Sequence, residues 1–474
     1  MRLKKNVFSY VLWFLYTIMT GSGLFCLVNI IGNRVGSDRI FALFIGAGII
    51  LVALGVAVLS KKFLCLCLER DQQINIKIFY VIYSLLIAVL VVAGFLLRQE
   101  ELMAIKQIDP YMYFEQACVR TGSQIVPAAH GIEDLYIRLL RLLCIVFGNY
   151  EYICLQVQIV IQLMGGLIFC EAVRRMTGPV PALFMFVFFA ISDLWIQEAT
   201  IFSCTTLFFV IFSSVWLAIS LWYKGKEHGI WSFMLLGAMS GILIYFDLTG
   251  IVVLVALLYA FAIEAGREEN QISDTVYLGL LGLSGVIFAV AACVVVDGVF
   301  CGIKINHVVS AWFQVYCQTP GFTGLSGVFN DGNGYVLVLL AVSMIGAVSF
   351  FLHKKSESMN LWVIVSVLLV VADCFGIVCK QPDVMCMLTL MVAVLAGIGV
   401  MNLYDGALEK LSMMEEKDVM GKTIEDIAEN KYMAKEENDG IQFLENPLPL
   451  PKKHEKKVMD YDYYVSDDDD FDVE

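Results

Sequence analysis

The chain is short of charge and short of proline. Asp, Glu, Lys and Arg make up 16% of its 474 residues, against 59% hydrophobic residues and a mean hydropathy of +0.77. Soluble domains hold about 45–50% apolar residues, so this composition excludes an ordinary soluble fold and points to an integral membrane protein. The 9 prolines keep clear of the middle of the apolar runs. Pro179 and Pro181 stand at the start of one, where a missing N–H is harmless. A cleaved signal peptide is not recognisable either. The first apolar run, Phe8 to Ile31, is long enough to span and is expected to remain as a signal anchor. No internal repeat stands out, which disfavours an inverted-repeat transporter. The 14 cysteines form no ligand pattern. Most lie within apolar runs, where a thiol behaves as a small hydrophobe, and Cys65–Cys67 ("CLC") is too weak a pattern for a metal. Cys301 and Cys317 share one connection, as a disulfide or as two thiols.

What the chain has is length of apolar sequence. A bilayer core takes roughly 20 apolar residues per helix, and such runs recur at 7–31, 40–60, 77–97, 151–173, 179–193, 200–223, 230–246, 248–266, 275–297, 335–353, 360–379 and 384–404. The expected fold is all-α and polytopic, with about twelve transmembrane helices (11–13). The spread reflects tight turns expected near Asp193–Thr200 and Asp247–Gly250.

Lys and Arg in the connections set the orientation. With the N-terminus inside, the inner connections carry 14 of them and the outer ones 9, of which 5 lie in the long 98–150 loop. Both termini are then cytoplasmic, in a multi-pass cell-membrane protein. The net charge of −13 belongs to the tail: residues 405–474 carry 21 acids and 9 bases, residues 1–404 carry 24 and 23. That tail, with "ENPLPLPKKHEKK" and "DYDYYVSDDDDFDVE", cannot bury enough apolar surface to fold alone. It is either a solvated segment or an extended grip for a cytoplasmic partner. The chain thus divides into a transmembrane domain, 1–404, and an acidic tail, 405–474.

Two outer segments, 98–150 and 298–334, are too long to be turns. In the first, "RLLRLLCIVFG" puts Arg138 and Arg141 on one face of a helix and leucines on the other, as in an interfacial helix. Asp109-Pro110 reads as an N-cap and first helical residue, opening a second short helix through Cys118. Asp193, Glu198, Asp247, Asp373 and Asp383 lie near or inside spans, all towards the outer side. Intramembrane acids usually line a polar cavity, although Glu198 and Asp247 also suit simple turns.

The segments "DPYMYFEQA", "HGIEDLYIRLLRLLCIVFGN", "LQVQIVIQLMGGLIFCEAVRRMTG" and "GAMSGILIYFDLTGI" resemble bacterial GT-C membrane glycosyltransferases. These are the relatives of protein mannosyltransferases and of the transferases that place aminoarabinose on lipid A. The resemblance covers roughly residues 100–265 and leans towards a clostridial-type subgroup with a similar acidic tail. It implies transfer of a sugar from a polyprenyl phosphate to an extracytoplasmic glycan, lipid or protein acceptor, with inversion. Such chemistry needs a base at the acceptor and cations at the departing phosphate.

On that resemblance Asp109 is the base or a metal ligand; on its local sequence it is a helix N-cap, and the two roles are compatible. Many relatives carry two adjacent acids, whereas here Pro110 follows, so a divalent metal stays open. Glu115 is the nearest second carboxylate. Arg120, Arg138, Arg141, Lys304 and His307 are candidates for the phosphate, arginine offering a planar fork for its oxygens. Arg138 and Arg141 equally suit anionic headgroups. His130 is placed to orient acceptor or sugar, or to make an ordinary loop hydrogen bond. Two other readings stand beside this one: a lipid-linked glycan flippase, and a non-catalytic relative that scaffolds envelope assembly. The span interiors hold almost no Lys or Arg, which a translocation path would need. Membrane lipids are the other expected partners, and no nucleic acid is expected.

Overall fold

The computed structural model describes residues 2–34, 44, 48, 51, 76–104, 112–118, 131–224, 229–247, 249–267, 272–301, 305–306, 308–310, 339–344, 358–374, 386–399 and 401. The chain divides after Tyr404, into Met1–Tyr404 and Asp405–Glu474, and the second unit lies outside the described residues.

Among the described residues the regular elements are helices, with no strand. They are α1 (Arg2–Arg34), α2 (Ile76–Ala104), α3 (Met112–Cys118), α4 (Ile132–Phe147), α5 (Glu151–Thr177), α6 (Pro179–Ile191) and α7 (Asp193–Thr200). There follow α8 (Thr205–Lys224), α9 (Ile230–Phe246), α10 (Thr249–Arg267), α11 (Ile272–Cys301) and α12 (Ser358–Cys374), then α13 (Cys386–Gly399). Five stretches are long and apolar enough to cross a membrane: Phe8–Phe25, Val81–Ala104, Glu151–Thr177, Thr205–Tyr223 and Val276–Val299. The pair α6 and α7, bent by 54°, passes as a sixth. The protein is therefore all-α and polytopic, with five to six candidate spans among the described residues. Ile230–Phe246, Thr249–Ile263, Asn360–Ala372 and Cys386–Gly399 are apolar but shorter. The runs expected to span at 40–60 and 335–353 fall largely outside the described residues.

Two local expectations need correction. The region Asp193–Thr200 is not a tight turn but a two-turn helix that continues α6 after a break at Ser192. The helix expected to stop at residue 97 runs on to Ala104, because Arg98 finds its partners inside the protein.

Packing follows from where the apolar residues point. α2 turns Val81, Leu85, Val92 and Leu96 outward, as lipid contact demands. Inside, Phe169, Phe189, Trp195, Phe209, Phe212 and Trp216 are fully buried. Trp216 stacks on Trp362 of α12 at 4.4 Å and 15°, an arrangement worth about 1 kcal/mol beyond area burial. At one end of the bundle Asn360 ties three helices: it accepts from Ser9 Oγ (3.0 Å) and Trp13 Nε1 (2.9 Å) and donates to Tyr259 Oη (3.0 Å). Glu171 holds Arg174 and Arg175 near the end of α5, and Gly178, at φ +103°, closes that helix with its N–H on Arg174 O. The loop helices α3 and α4 lie at the other end.

Candidate functional site

The site grows from the break in α6–α7. A helix that stops leaves carbonyls without N–H partners, and in lipid each such group costs several kcal/mol. Arg98, 0% exposed, supplies the donors. Its guanidinium reaches Phe189 O (3.1 Å) and Ala190 O (3.1 Å) at the end of α6, Gly94 O one turn back (3.0 Å), and Gln162 Oε1 (2.6 Å). Gly94 leaves room for this arrangement, since a Cβ on it would press on the Arg98 side chain at 3.3 Å. Gln162 then donates to Trp195 O (2.9 Å). One turn along α5, Gln158 donates to Glu198 O (3.1 Å) and Ile201 O (2.6 Å) and accepts from Tyr136 Oη (2.5 Å). Glutamines at i and i+4 share one face of a helix, so α5 presents both amides to the broken segment.

Tyr136 belongs to α4, which glycines bound at both ends. Gly131 has φ +95° and Gly148 φ +84°, values that favour glycine. A Cβ at Gly131 would also lie 3.1 Å from Phe246 O, so the start of α4 sits directly on the end of α9. Glu133 and Asp134 occupy the first turn of α4, where carboxylates favour the helix dipole. α3 is held by Tyr113 edge-on to Tyr136 (5.8 Å, 87°) and by Phe114 stacked on Phe202 (5.1 Å, 24°).

Three carboxylates, one of them on α4 itself, act on the buried thiol of Cys204. Its thiol is pushed well above the ordinary value, first by burial and then by the charges of Glu133, Glu198 and Asp247. Tyr113 is raised as well, by burial and by Glu133, to which it hydrogen-bonds. Asp247, 1% exposed, sits in the turn between α9 and α10. Its Oδ1 accepts the N–H of Thr249 at 2.7 Å while Oδ2 is buried without a hydrogen bond. Burial raises its carboxyl from 3.8 to about 6, although the hydrogen bond from the Thr249 N–H pulls the other way. A small cleft opens beside Tyr136 and Gln158, lined also by Leu139, Leu143, Cys154 and Leu207.

The residues singled out from sequence fall as follows. Glu198 is half-buried on α7 and Asp247 is buried in the turn after α9, and the charges of both act on Cys204. Arg138 is engaged by Asp134 (2.5 Å) and by Asp297 of α11 (2.7 Å), and Tyr245 also donates to Asp297 (3.0 Å). Arg141 is half-buried, its Nε buried without a hydrogen bond. Glu115 is exposed on α3, as is Asp193 at the start of α7. Asp373 lies on α12 with its side chain outside the described set, and Asp109, Arg120, His130, Lys304, His307, Cys317 and Asp383 lie outside the described residues altogether. Among the described residues no group of three or more His, Cys, Asp or Glu is arranged to hold a metal ion; the three carboxylates share the surroundings of Cys204 without that geometry.

The sequence reading did not single out Arg98, Gln158, Gln162, Tyr113, Glu133 or Cys204. A signal existed for the glutamines: two amides four residues apart in an apolar span have no reason to be there unless they face orphan backbone. Compared with protein-family models and with curated proteins, the chain matches none.

Proposed function

We propose that the protein is a GT-C-type glycosyltransferase that moves a sugar from a polyprenyl-phosphate donor to an extracytoplasmic acceptor with inversion. The observation that carries the reading is that the carboxylates of Glu133, Glu198 and Asp247 all act on one buried thiol, Cys204, at one end of an all-helical membrane bundle, and we take them as the wall of a polar basin. Glu133 lies on the loop helix α4 itself, and α3 packs against that helix through Tyr113, edge-on to Tyr136. Asp109 stands just before α3 in the chain and takes the base role that the family resemblance implies. It accepts the acceptor's proton as the acceptor oxygen attacks the anomeric carbon, and the bonding pair leaves on the phosphate. Arg120, Arg141, Lys304 and His307 are the cations proposed for that phosphate. Arg138 is already neutralised and acts here as a clamp between α4 and α11.

The same reading takes the four shorter apolar helices as crossings and adds 40–60 and 335–353, which gives about twelve spans. It places both termini in the cytoplasm and the basin outside. A flippase is less well supported. The buried cation Arg98 has its donors committed to α2, α5 and α6, which leaves it unable to lead a charged headgroup across.

The test is genetic and chemical. Asp109→Asn, expressed at the wild-type level in a strain deleted for the protein, is expected to abolish one surface glycan and leave its polyprenyl-phosphate sugar unconsumed. A surface glycan unchanged in amount and composition would overturn the reading.

A further inference from the structure

Three thiols line up where α3, α4 and α5 meet. Cys118 ends α3, Cys144 lies in the last turn of α4, and Cys154 lies in the first turn of α5. The sulfurs of Cys118 and Cys144 are 3.8 Å apart, and Cys144 is also in hydrogen-bonding contact with Cys154. All three are free cysteines. A sulfur separation of 3.8 Å is van der Waals contact, and a disulfide at about 2.05 Å would close the remaining gap between α3 and α4. Access to the three differs in a useful way. Cys154 is 0% and Cys144 8% exposed, whereas Cys118 is half-buried, so a reagent arriving from outside meets Cys118 first.

We propose that Cys118 and Cys144 are a redox pair, closed to an intramolecular disulfide by a small disulfide oxidant of the glutathione class, and that the bond pins α3 onto α4 above the carboxylate basin. Cys118 attacks one sulfur of the oxidant, forming a mixed disulfide and releasing the first small thiol. Cys144 then attacks the Cys118 sulfur and expels the second. The two protein thiols lose two protons and two electrons, and the oxidant disulfide takes up both to become two thiols. Burial holds the Cys118 thiol up at about 11, so little thiolate is present near neutrality and the first step is slow. The pair therefore reports sustained oxidising surroundings rather than a brief pulse. Cys154, sealed on the far side of Cys144, is the internal control.

The proposal stands apart from sugar transfer, and its test needs no activity. Full-length protein in lipid nanodiscs is equilibrated with glutathione buffers from fully reduced to fully oxidised, quenched in acid, alkylated, and mapped by peptide mass spectrometry without reduction. A peptide pair joined through Cys118 and Cys144 is expected under oxidising buffers and is lost on adding dithiothreitol. Cys118→Ser and Cys144→Ser should each abolish it, and Cys154→Ser should leave it. The oxidised wild type is also expected to melt several degrees higher than the reduced form, with no such difference in Cys118→Ser. Three results overturn the proposal: both thiols fully alkylated in excess oxidant, Cys118 trapped only as its glutathione adduct, or a bond between Cys144 and Cys154 in place of the expected one.

Discussion

Two seams hold the membrane helices together, and they meet the same constraint by opposite means. Along α9 and α11, side chains are removed. A Cβ on Gly237 would lie 2.0 Å from Gly282 O, one on Gly241 2.8 Å from Val286 O, and one on Gly285 2.1 Å from Met234 O. The two backbones run in contact, in the manner of small-residue packing in lipid. Where α2 and α5 face the broken pair α6–α7, side chains are supplied instead: Arg98 delivers N–H groups to the carbonyls before the break, and Gln162 and Gln158 to carbonyls within and just after α7. An unbroken helix satisfies its own backbone and asks only for closeness. A broken one must borrow donors, and the polar groups that a membrane interior would otherwise reject become its structural requirement.

The largest way to break that comparison is at Arg98. Replacing it by Leu orphans Phe189 O, Ala190 O and Gln162 Oε1, for a loss of about 4 kcal/mol. Melting in detergent should show it as a large drop in midpoint. Arg98→Lys should recover only part, because an ammonium cannot reach carbonyls and an amide in one plane as the guanidinium fork does. A leucine variant that melts with the wild type would show that the break is satisfied some other way.

Asp247 lies at the exit of α9, in the turn before α10. Its folded carboxyl sits at about 6 against an ordinary 3.8, so the folded state holds the proton more tightly than the unfolded one. Below about pH 4 both states are protonated and the group is neutral towards stability. Between about pH 4 and 6 stability falls as pH rises, and above about pH 6 the full penalty, about 3 kcal/mol, is present. Asp247→Asn keeps an oxygen for the Thr249 N–H. It is expected to flatten that slope and to raise the midpoint at pH 7. A slope of unchanged steepness in the Asn variant would assign the pH dependence to another group.

How much of this was legible beforehand depends on whether the cause was local. The apolar runs were visible because bilayer thickness acts on each run by itself; the described spans Phe8–Phe25, Thr205–Tyr223 and Val276–Val299 coincide closely with the runs read from sequence. The bend at Ser192 was not, because the carbonyls before it are met by Arg98, far away along the chain. Counting Lys and Arg by connection assigned Arg98 to the outer loop, since a charge after an apolar run normally marks its end. Asp134 and Arg138, four apart on one helix face, form a pair that spacing alone allows. Asp297, which completes the clamp, is separated by 159 residues and left no trace in pattern. Asp247 and Glu198 stood out because acids near a span are costly. Glu133 and Tyr113 looked like ordinary residues of short helices, and only tertiary packing brings them to Cys204.

The α9–α11 seam offers the smallest effects and the sharpest contrast, because one helix carries glycines in both kinds of surroundings. Alanine is favoured over glycine in a helix interior by about 1 kcal/mol. At Gly279 an added Cβ meets nothing nearer than Leu258 Cδ2 at 3.9 Å, so Gly279→Ala should stabilise by about 0.5–1 kcal/mol. At Gly285, on the same α11, the added methyl would press on Met234 O at 2.1 Å. Backbone cannot yield as a side chain does, and Gly285→Ala should destabilise by about 2 kcal/mol. Gly237→Ala should do the same from the α9 side. Matched melting curves therefore should move in opposite directions for Gly279→Ala and Gly285→Ala, a sign difference that helix propensity alone cannot produce. If both shifts had one sign, the close approach of α9 and α11 would not be what holds that seam.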